Sequence, residues 1–205
     1  MKKYIWFNPV VQSICAPDYL ETFCSTYNLN RVESDVNFIE VVKDKYDQKV
    51  KEVNQPLIDQ RCPLAAKEIE QYDQGINHDI DPILIHTAKH LYQVYVKDTD
   101  NTLIVTTPCQ SLADLGNDLG LENVTFVAWL AYLESLEYPI QHSELEASPI
   151  PPGFFDTHKH KVLNLKSKEQ INTYFESNNA NEYDIIEMFY CENGCHNGDG
   201  IVHGK

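Results

Sequence analysis

The sequence predicts an α/β fold of parallel-rich sheets flanked by helices, with a site at the carboxyl ends of strands. Three observations predict it. Short apolar or β-branched runs, such as Thr102 to Thr107, alternate with longer stretches of helical periodicity. Prolines at positions suited to the first helical turn, among them Pro17, Pro63 and Pro82, follow several of these runs. The apolar run from Asp184 to Tyr190 ends at two cysteines four positions apart, Cys191 and Cys195, set in Asn and Gly that let the backbone curl round a bound group.

In chain order, residues 3 to 7 predict a first strand, and Pro17 opens a helix from Asp18 to Tyr27 with Leu20, Phe23 and Tyr27 at helical spacing. The stretch Val36 to Val42 suits strand or helix, and Lys43 to Glu52 reads as a solvated face. After Pro63, Leu64, Ala65, Ile69 and Tyr72 mark one side of a helix that Gly75 ends. Asp81-Pro82 starts another, burying Ile83, Leu84, Thr87, Ala88, Leu91, Val94 and Tyr95 and reaching about Lys97.

Thr102 to Thr107 predicts a strand covered on both faces, broken at Pro108-Cys109, with a helix through Leu112, Leu115 and Leu119 to Gly120. Val124 to Val127 repeats the strand signal and Trp129 to Glu137 the helical one. Residues 138 to 165, with Pro139, Pro149, Pro151 and Pro152, read as a long surface connection. Ser167-Lys168-Glu169-Gln170 predicts a capping box for a helix to Phe175, and Asn178 to Asn181 returns the chain to the last strand.

With 205 residues, 42% of them hydrophobic, the chain is long enough to bury a sizeable core without disulfides. It reads as one domain over 1–205, or two lobes of about 1–100 and 101–205 with a cofactor between them. The net charge of −15 excludes an ordinary nucleic-acid surface, which needs clustered Lys and Arg, and disfavours anionic membranes. Such acidity serves solubility, the alternative being an acidic docking face for a basic redox partner. Asn8 and Pro9 end the opening apolar run well before signal-peptide length, and no run approaches a membrane span. The expectation is a reducing cytoplasm, where the six cysteines are ligands or core residues rather than disulfides.

Structural zinc sites draw their ligands from two compact pairs, and beyond Cys191 and Cys195 there is no second pair. The other cysteines are Cys15, Cys24, Cys62 and Cys109, and two of them adjoin prolines, in Arg61-Cys62-Pro63 and Thr107-Pro108-Cys109. Four scattered thiolates, Cys62, Cys109, Cys191 and Cys195, suit a 4Fe-4S cubane. Cys62, at a helix start, lies where unpaired amides favour thiolate. Cys15 and Cys24 read as core residues, with a disulfide or extra ligand role as the alternative. His86 and His90 fall four apart on a helix but lack the glutamate of a zinc protease, so they read as a polar-partnered pair; His158 and His160 read as exposed loop residues.

Three segments together resemble the catalytic domain of iron-only (di-iron) hydrogenases and its non-hydrogenase relatives. Arg61-Cys62-Pro63 is similar to the family's first signature, and Thr107-Pro108-Cys109 with Val124 to Val127 to the second. Glu187-Met188-Phe189-Tyr190-Cys191-Glu192-Asn193-Gly194-Cys195, with Gly198 and Gly200, is similar to the third. Ile14-Cys15-Ala16-Pro17 is similar to the family's first strand-to-helix corner. The resemblance implies an iron-only-hydrogenase-like fold and makes Cys62, Cys109, Cys191 and Cys195 the cubane ligands, the last bridging to a di-iron unit in active members.

The departures shape the expected function. Arg61 stands where the family has a proton-relaying cysteine, Leu112 where it has a lysine that anchors the di-iron unit, and Thr107 where it has a methionine. A guanidinium cannot shuttle protons at ordinary pH. The expectation is therefore a non-catalytic 4Fe-4S protein for electron transfer or redox sensing with a redox or signalling partner. The enzymatic alternative is a compact di-iron hydrogenase with a proton path rewired through Glu187, Glu192 or His196. A third reading is a structural zinc or interaction domain. Glu192 and His196 are expected at the solvent-facing rim of the loop.

Overall fold

The computed structural model describes residues 1–72, 79–155, 157–177, 182–192 and 194–201. In chain order its elements are β1 (Lys3–Trp6), α1 (Pro9–Ile14), α2 (Pro17–Tyr27), β2 (Asn30–Arg31), α3 (Phe38–Glu52), β3 (Leu57–Ile58) and α4 (Pro63–Glu68), which runs on as a 3₁₀ turn, Ile69–Gln71. Then come α5 (Ile83–Tyr95), β4 (Thr102–Thr107), α6 (Gln110–Asn117), β5 (Val124–Ala128), α7 (Trp129–Ser135), β6 (Val162–Leu165), α8 (Lys168–Glu176), β7 (Ile185–Met188) and a 3₁₀ turn, Cys195–Asn197. Among the described residues no helix is long and apolar enough to cross a membrane. The predicted helix stop at Gly75 and the return segment Asn178 to Asn181 lie outside the described residues.

Two units interleave along the sequence. The first takes Met1–Val36, Leu84–Ile150 and the chain from Cys195 onward; the second takes Asn37–Ile83 and Pro151–Gly194. Residue 100, the expected lobe boundary, falls inside the first unit.

The first unit is built on a parallel sheet of order β2-β1-β4-β5. Parallel neighbours need crossover helices, and these cover both faces. Ile5 and Phe7 pack with Val10, Leu20, Phe23 and Trp129 from α1, α2 and α7. Trp6, Leu103, Val105 and Phe126 pack on the other side with Leu84, Ala88, Leu91 and Leu112 from α5 and α6. Each large apolar side chain so buried stabilises the fold by about 1.5–3 kcal/mol. Asn8 ties the sheet to α1: its Oδ1 accepts from the Val10 and Val11 amides at 2.8 and 3.2 Å, and its own amide donates to Thr106 Oγ1 at 2.9 Å.

The second unit has a smaller parallel sheet, β3-β7-β6, with β7 at its centre and all four β7 residues buried. Ile58, Leu165, Ile186 and Met188 pack against Ala65, Ile171 and Phe175 of α4 and α8. Leu57 and Ile185 face the other way, onto Val42 and Tyr46 of α3 and onto Phe155.

One open reading is settled and three expectations change. The ambiguous Val36 to Val42 stretch enters a helix, because Asn37 caps α3 through the Ile39 and Glu40 amides. Within the solvated face from Lys43 to Glu52, Tyr46 is fully buried. The long connection from 138 to 165 ends in β6, which pairs with β7 as an edge strand although Asn164 and the flanking lysines disguise its apolar pattern. Val94 is 56% exposed, since the buried stripe of α5 runs through Leu84, Ala88 and Leu91 with Tyr95 packed alongside, leaving Val94 off the stripe.

Candidate functional site

In the second unit, β3 and β7 are parallel neighbours, so the residues following them leave the sheet at the same end. Cys62 comes four residues after β3, at the start of α4, and Cys191 three residues after β7. Pro63, which lacks an amide proton, takes the first helical position, and the Cys62 side chain makes no capping hydrogen bond. Burial pushes the Cys62 thiol above its ordinary pKa, and the nearby backbone of Tyr190, Ala65 and Leu64 offsets this only in part. Without a bound cation the group stays a thiol; a metal would deprotonate it.

The corner between β3 and Cys62 is fixed by a buried ion network. Arg61 forks onto Asp59 through Nε and Nη2, at 3.0–3.1 and 2.8 Å, and reaches Glu187 Oε1 at 2.6 Å. Asp59 and Glu187 are 0% exposed, and the Arg61 side chain is 7% exposed. Glu187 also accepts from the Gly153 and Phe154 amides at 2.7 and 3.0 Å, and the Tyr46 hydroxyl donates to Asp59 at 3.3 Å. Phe154 stacks on the guanidinium at 4.0 Å, with Phe155 at 5.0 Å. Burial pushes the Arg61 pKa down, but Asp59 and Glu187 push it up by more, so the guanidinium stays charged. The proton path suggested through Glu187 thus starts from a carboxylate already held by a cation and two amides.

In the first unit, β1 leads through α1 and α2 to β2 on one side, while β4 leads through α6 to β5 on the other. The order therefore reverses between β1 and β4, the place where open α/β sheets bind ligands. Cys109 stands at the carboxyl end of β4, as the residue before α6. The segment 195–201 docks on the same end: Asp199 Oδ1 accepts from the Gln110 amide at 2.9 Å, and Gly200 O accepts from the Leu130 amide at 3.1 Å. Glycine is required there, because a Cβ at position 198 would lie 2.5 Å from Pro108 O and 3.1 Å from Cys109 Cβ. At position 200 it would lie 3.0 Å from the same carbonyl. Ile201 then enters the core, and Cys195 packs at its margin.

Each unit therefore gathers two of the four expected ligands at the carboxyl end of its own sheet: Cys62 and Cys191 in the second, Cys109 and Cys195 in the first. Among the described residues no three His, Cys, Asp or Glu side chains form a group that could hold a metal ion. Cys15 and Cys24 lie in the core of the first unit, and burial pushes the Cys15 thiol up to about 11. His90 meets Asp35 at 2.9 Å, a polar partner as expected.

One histidine expectation is corrected. His160 has a side chain only 9% exposed and meets Asp47 at 2.7 Å, because the connection it belongs to is held against α3; His158 is exposed. His196 is half-buried, with its Nδ1 atom covered. Glu192 is exposed.

Sequence reasoning did not bring Arg61 and Glu187 together, and left the pairing of Arg61 with an acid such as Asp59 open. A signal was present: Asp59 and Glu187 each lie two residues beyond a sheet-facing apolar residue, Leu57 and Ile185, which are register partners.

By residue type the four cysteine sulfurs are ligands that an iron–sulfur cluster takes, but in this structure no three described residues form one group that could hold a metal. No family model matches the chain, and no curated protein is similar to it.

Proposed function

We propose that the protein is a hydrogenase-like 4Fe-4S protein that passes an electron to a partner, or reports redox state to it, without converting hydrogen. One observation carries the reading: Cys62 with Cys191, and Cys109 with Cys195, lie in pairs at the carboxyl ends of parallel strands, each pair within its own unit. The four sulfurs would be the ligands, and the bound cluster supplies one-electron oxidation and reduction.

The chain's residues have separate tasks in this reading. The backbone of Tyr190, Ala65 and Leu64 would favour negative charge on the Cys62 sulfur, and Cys62 packs against the apolar cluster that holds Met188. Arg61 holds its proton and fixes the corner through two carboxylates, which supports electron transfer without proton relay. The excess of acidic residues suits a redox partner with a basic face.

Anaerobic reconstitution with iron and sulfide tests the proposal. A brown protein that reduces reversibly by one electron, and loses its colour when Cys62, Cys109, Cys191 or Cys195 is changed to serine, is the expected result. A colourless protein holding zinc on the same cysteines would replace the redox role with a structural one. Infrared bands of carbonyl and cyanide ligands after maturation would restore the di-iron hydrogenase reading.

A further inference from the structure

We infer that the runs 153–155 and 157–160 form a strap that opens as a unit, and that Asp47 of α3 is the clasp that keeps it shut over the Arg61 guanidinium. The inference does not depend on the cluster reading above. All the residues involved belong to the second unit.

One face of α3 receives the strap. Lys43, Tyr46 and Asp47 stand at the helical spacing that puts them on one side of the helix. The Lys43 ammonium lies 5.2 Å from the centre of the Phe154 ring, and the Tyr46 and Phe155 rings are 4.6 Å apart. Asp47 takes the far end of the strap: its Oδ1 meets His160 Nε2 at 2.7 Å, and its Oδ2 accepts from Lys159 Nζ at 3.1 Å. The near end covers the ion network. There the Gly153 and Phe154 amides donate to Glu187, and Phe154 stacks at 4.0 Å on the largely buried Arg61 guanidinium.

These attachments differ in kind from those of the sheet beneath. The amides at 153 and 154 bond a side-chain carboxylate rather than a neighbouring strand, and the rear is held by side chains on a carboxylate that water reaches. β7, by contrast, is paired on both sides, and beyond it the Phe189 amide donates to Leu165 O at 2.9 Å. Lifting the strap uncovers Phe154 and Phe155 but leaves those ladders intact, so it requires less free energy than global unfolding. The two ends are coupled, because Tyr46 packs on Phe155 and also donates to Asp59, the acid on which Arg61 forks. Loosening Asp47 is therefore felt at Arg61.

Phenylglyoxal, which modifies arginine, reads the opening directly, since Arg31 and Arg61 are the only arginines in the chain and the more exposed Arg31 serves as internal reference. Hydrogen exchange of the Gly153 and Phe154 amides reads it independently. In the parent, low urea should leave Arg61 modification and these two exchange rates unchanged while accelerating exchange at Phe189, because local opening exposes little surface. Asp47→Asn keeps the shape and removes the charge; it should speed Arg61 modification and exchange at 153 and 154 by about tenfold, with Phe189 changed far less. His160→Gln, a milder change at the same clasp, should raise the same rates by a smaller factor. Arg61 reactivity in the parent that follows Phe189 exchange would overturn the inference, since opening would then be global. Rates at Arg61, Gly153 and Phe154 that stay parental in D47N and H160Q would overturn it as well, and so would equal acceleration at these sites and Phe189.

Discussion

The two units secure their cysteine corners by opposite means. In the first, Pro108-Cys109 is held by close steric contact, with glycines at 198 and 200 letting one backbone press on another. In the second, Cys62 follows a corner held by charge, in which one guanidinium joins two carboxylates that are fully buried. The first unit's sheet buries no charged side chain, whereas the second places Asp59 and Glu187 on the same face as Leu57 and Ile185. A corner built by contact should be sensitive to volume and indifferent to charge, and a corner built by charge the reverse.

The largest test of that contrast is Arg61→Leu. It leaves Asp59 and Glu187 buried without their cation and should cost about 3–5 kcal/mol in urea unfolding. The triple replacement Asp59→Asn, Arg61→Met, Glu187→Gln removes the charges together and should recover much of that loss. A triple variant as unstable as R61L would mean that packing of Arg61 between Phe154 and Phe155, rather than its charge, holds the corner.

Next in size is Gly198→Ala, where the added carbon meets a backbone carbonyl that cannot rotate away. Overpacking of this kind costs about 1–3 kcal/mol. The same unfolding experiment should show the loss, together with increased exchange of the Gln110 amide as the Asp199 contact loosens. Unchanged protection at Gln110 would show that the segment docks without needing this close approach.

Much of the fold was legible because its signals are local. Periodicity located α2, α5 and β4, and prolines together with the Ser167 cap marked where helices begin. Cys109 could be placed at a strand end and Cys62 at a helix start, because a proline beside each interrupts the pattern. What remained hidden depends on distant partners. β6 is an edge strand of four residues with only one fully buried, and only its pairing with β7 makes it a strand. Glu187 looked like an acid available for proton transfer, yet its environment is set by Arg61, 126 positions earlier in the sequence. Nothing local reveals that Gly198 comes against Pro108, 90 positions earlier.

Smaller effects follow from Cys15 in the first unit's core. Burial raises its folded-state pKa from 9.0 to about 11, so the folded protein keeps a proton that the unfolded chain releases earlier. This contribution to stability is complete below about pH 9 and is lost as pH rises toward about 11, because the unfolded state then binds fewer protons. Urea midpoints should fall across that alkaline window, and Cys15→Ala should flatten the slope. A slope unchanged by C15A would assign the alkaline loss to tyrosines such as Tyr19, which burial pushes up to about 12.

The finest comparison uses one helix cap from each unit. Asn8 is fully buried and serves both the Val10 and Val11 amides and Thr106, whereas Ser167 is partly exposed and its hydroxyl caps α8 through the Gln170 amide alone, at 3.2 Å. Gln170 completes a variant of the expected capping box, its Oε1 reaching back to the Lys166 amide at 2.9 Å rather than to that of Ser167. Cap removal costs about 0.5–2 kcal/mol. Asn8→Ala should therefore fall at the top of that range and Ser167→Ala near the bottom, since water can replace the exposed hydroxyl but not the buried amide. Equal losses would mean that the Asn8 Nδ2 bond to Thr106 Oγ1, at 3.2 Å, adds nothing beyond the cap, the backbone amide of residue 8 keeping its own bond to Thr106 in both proteins.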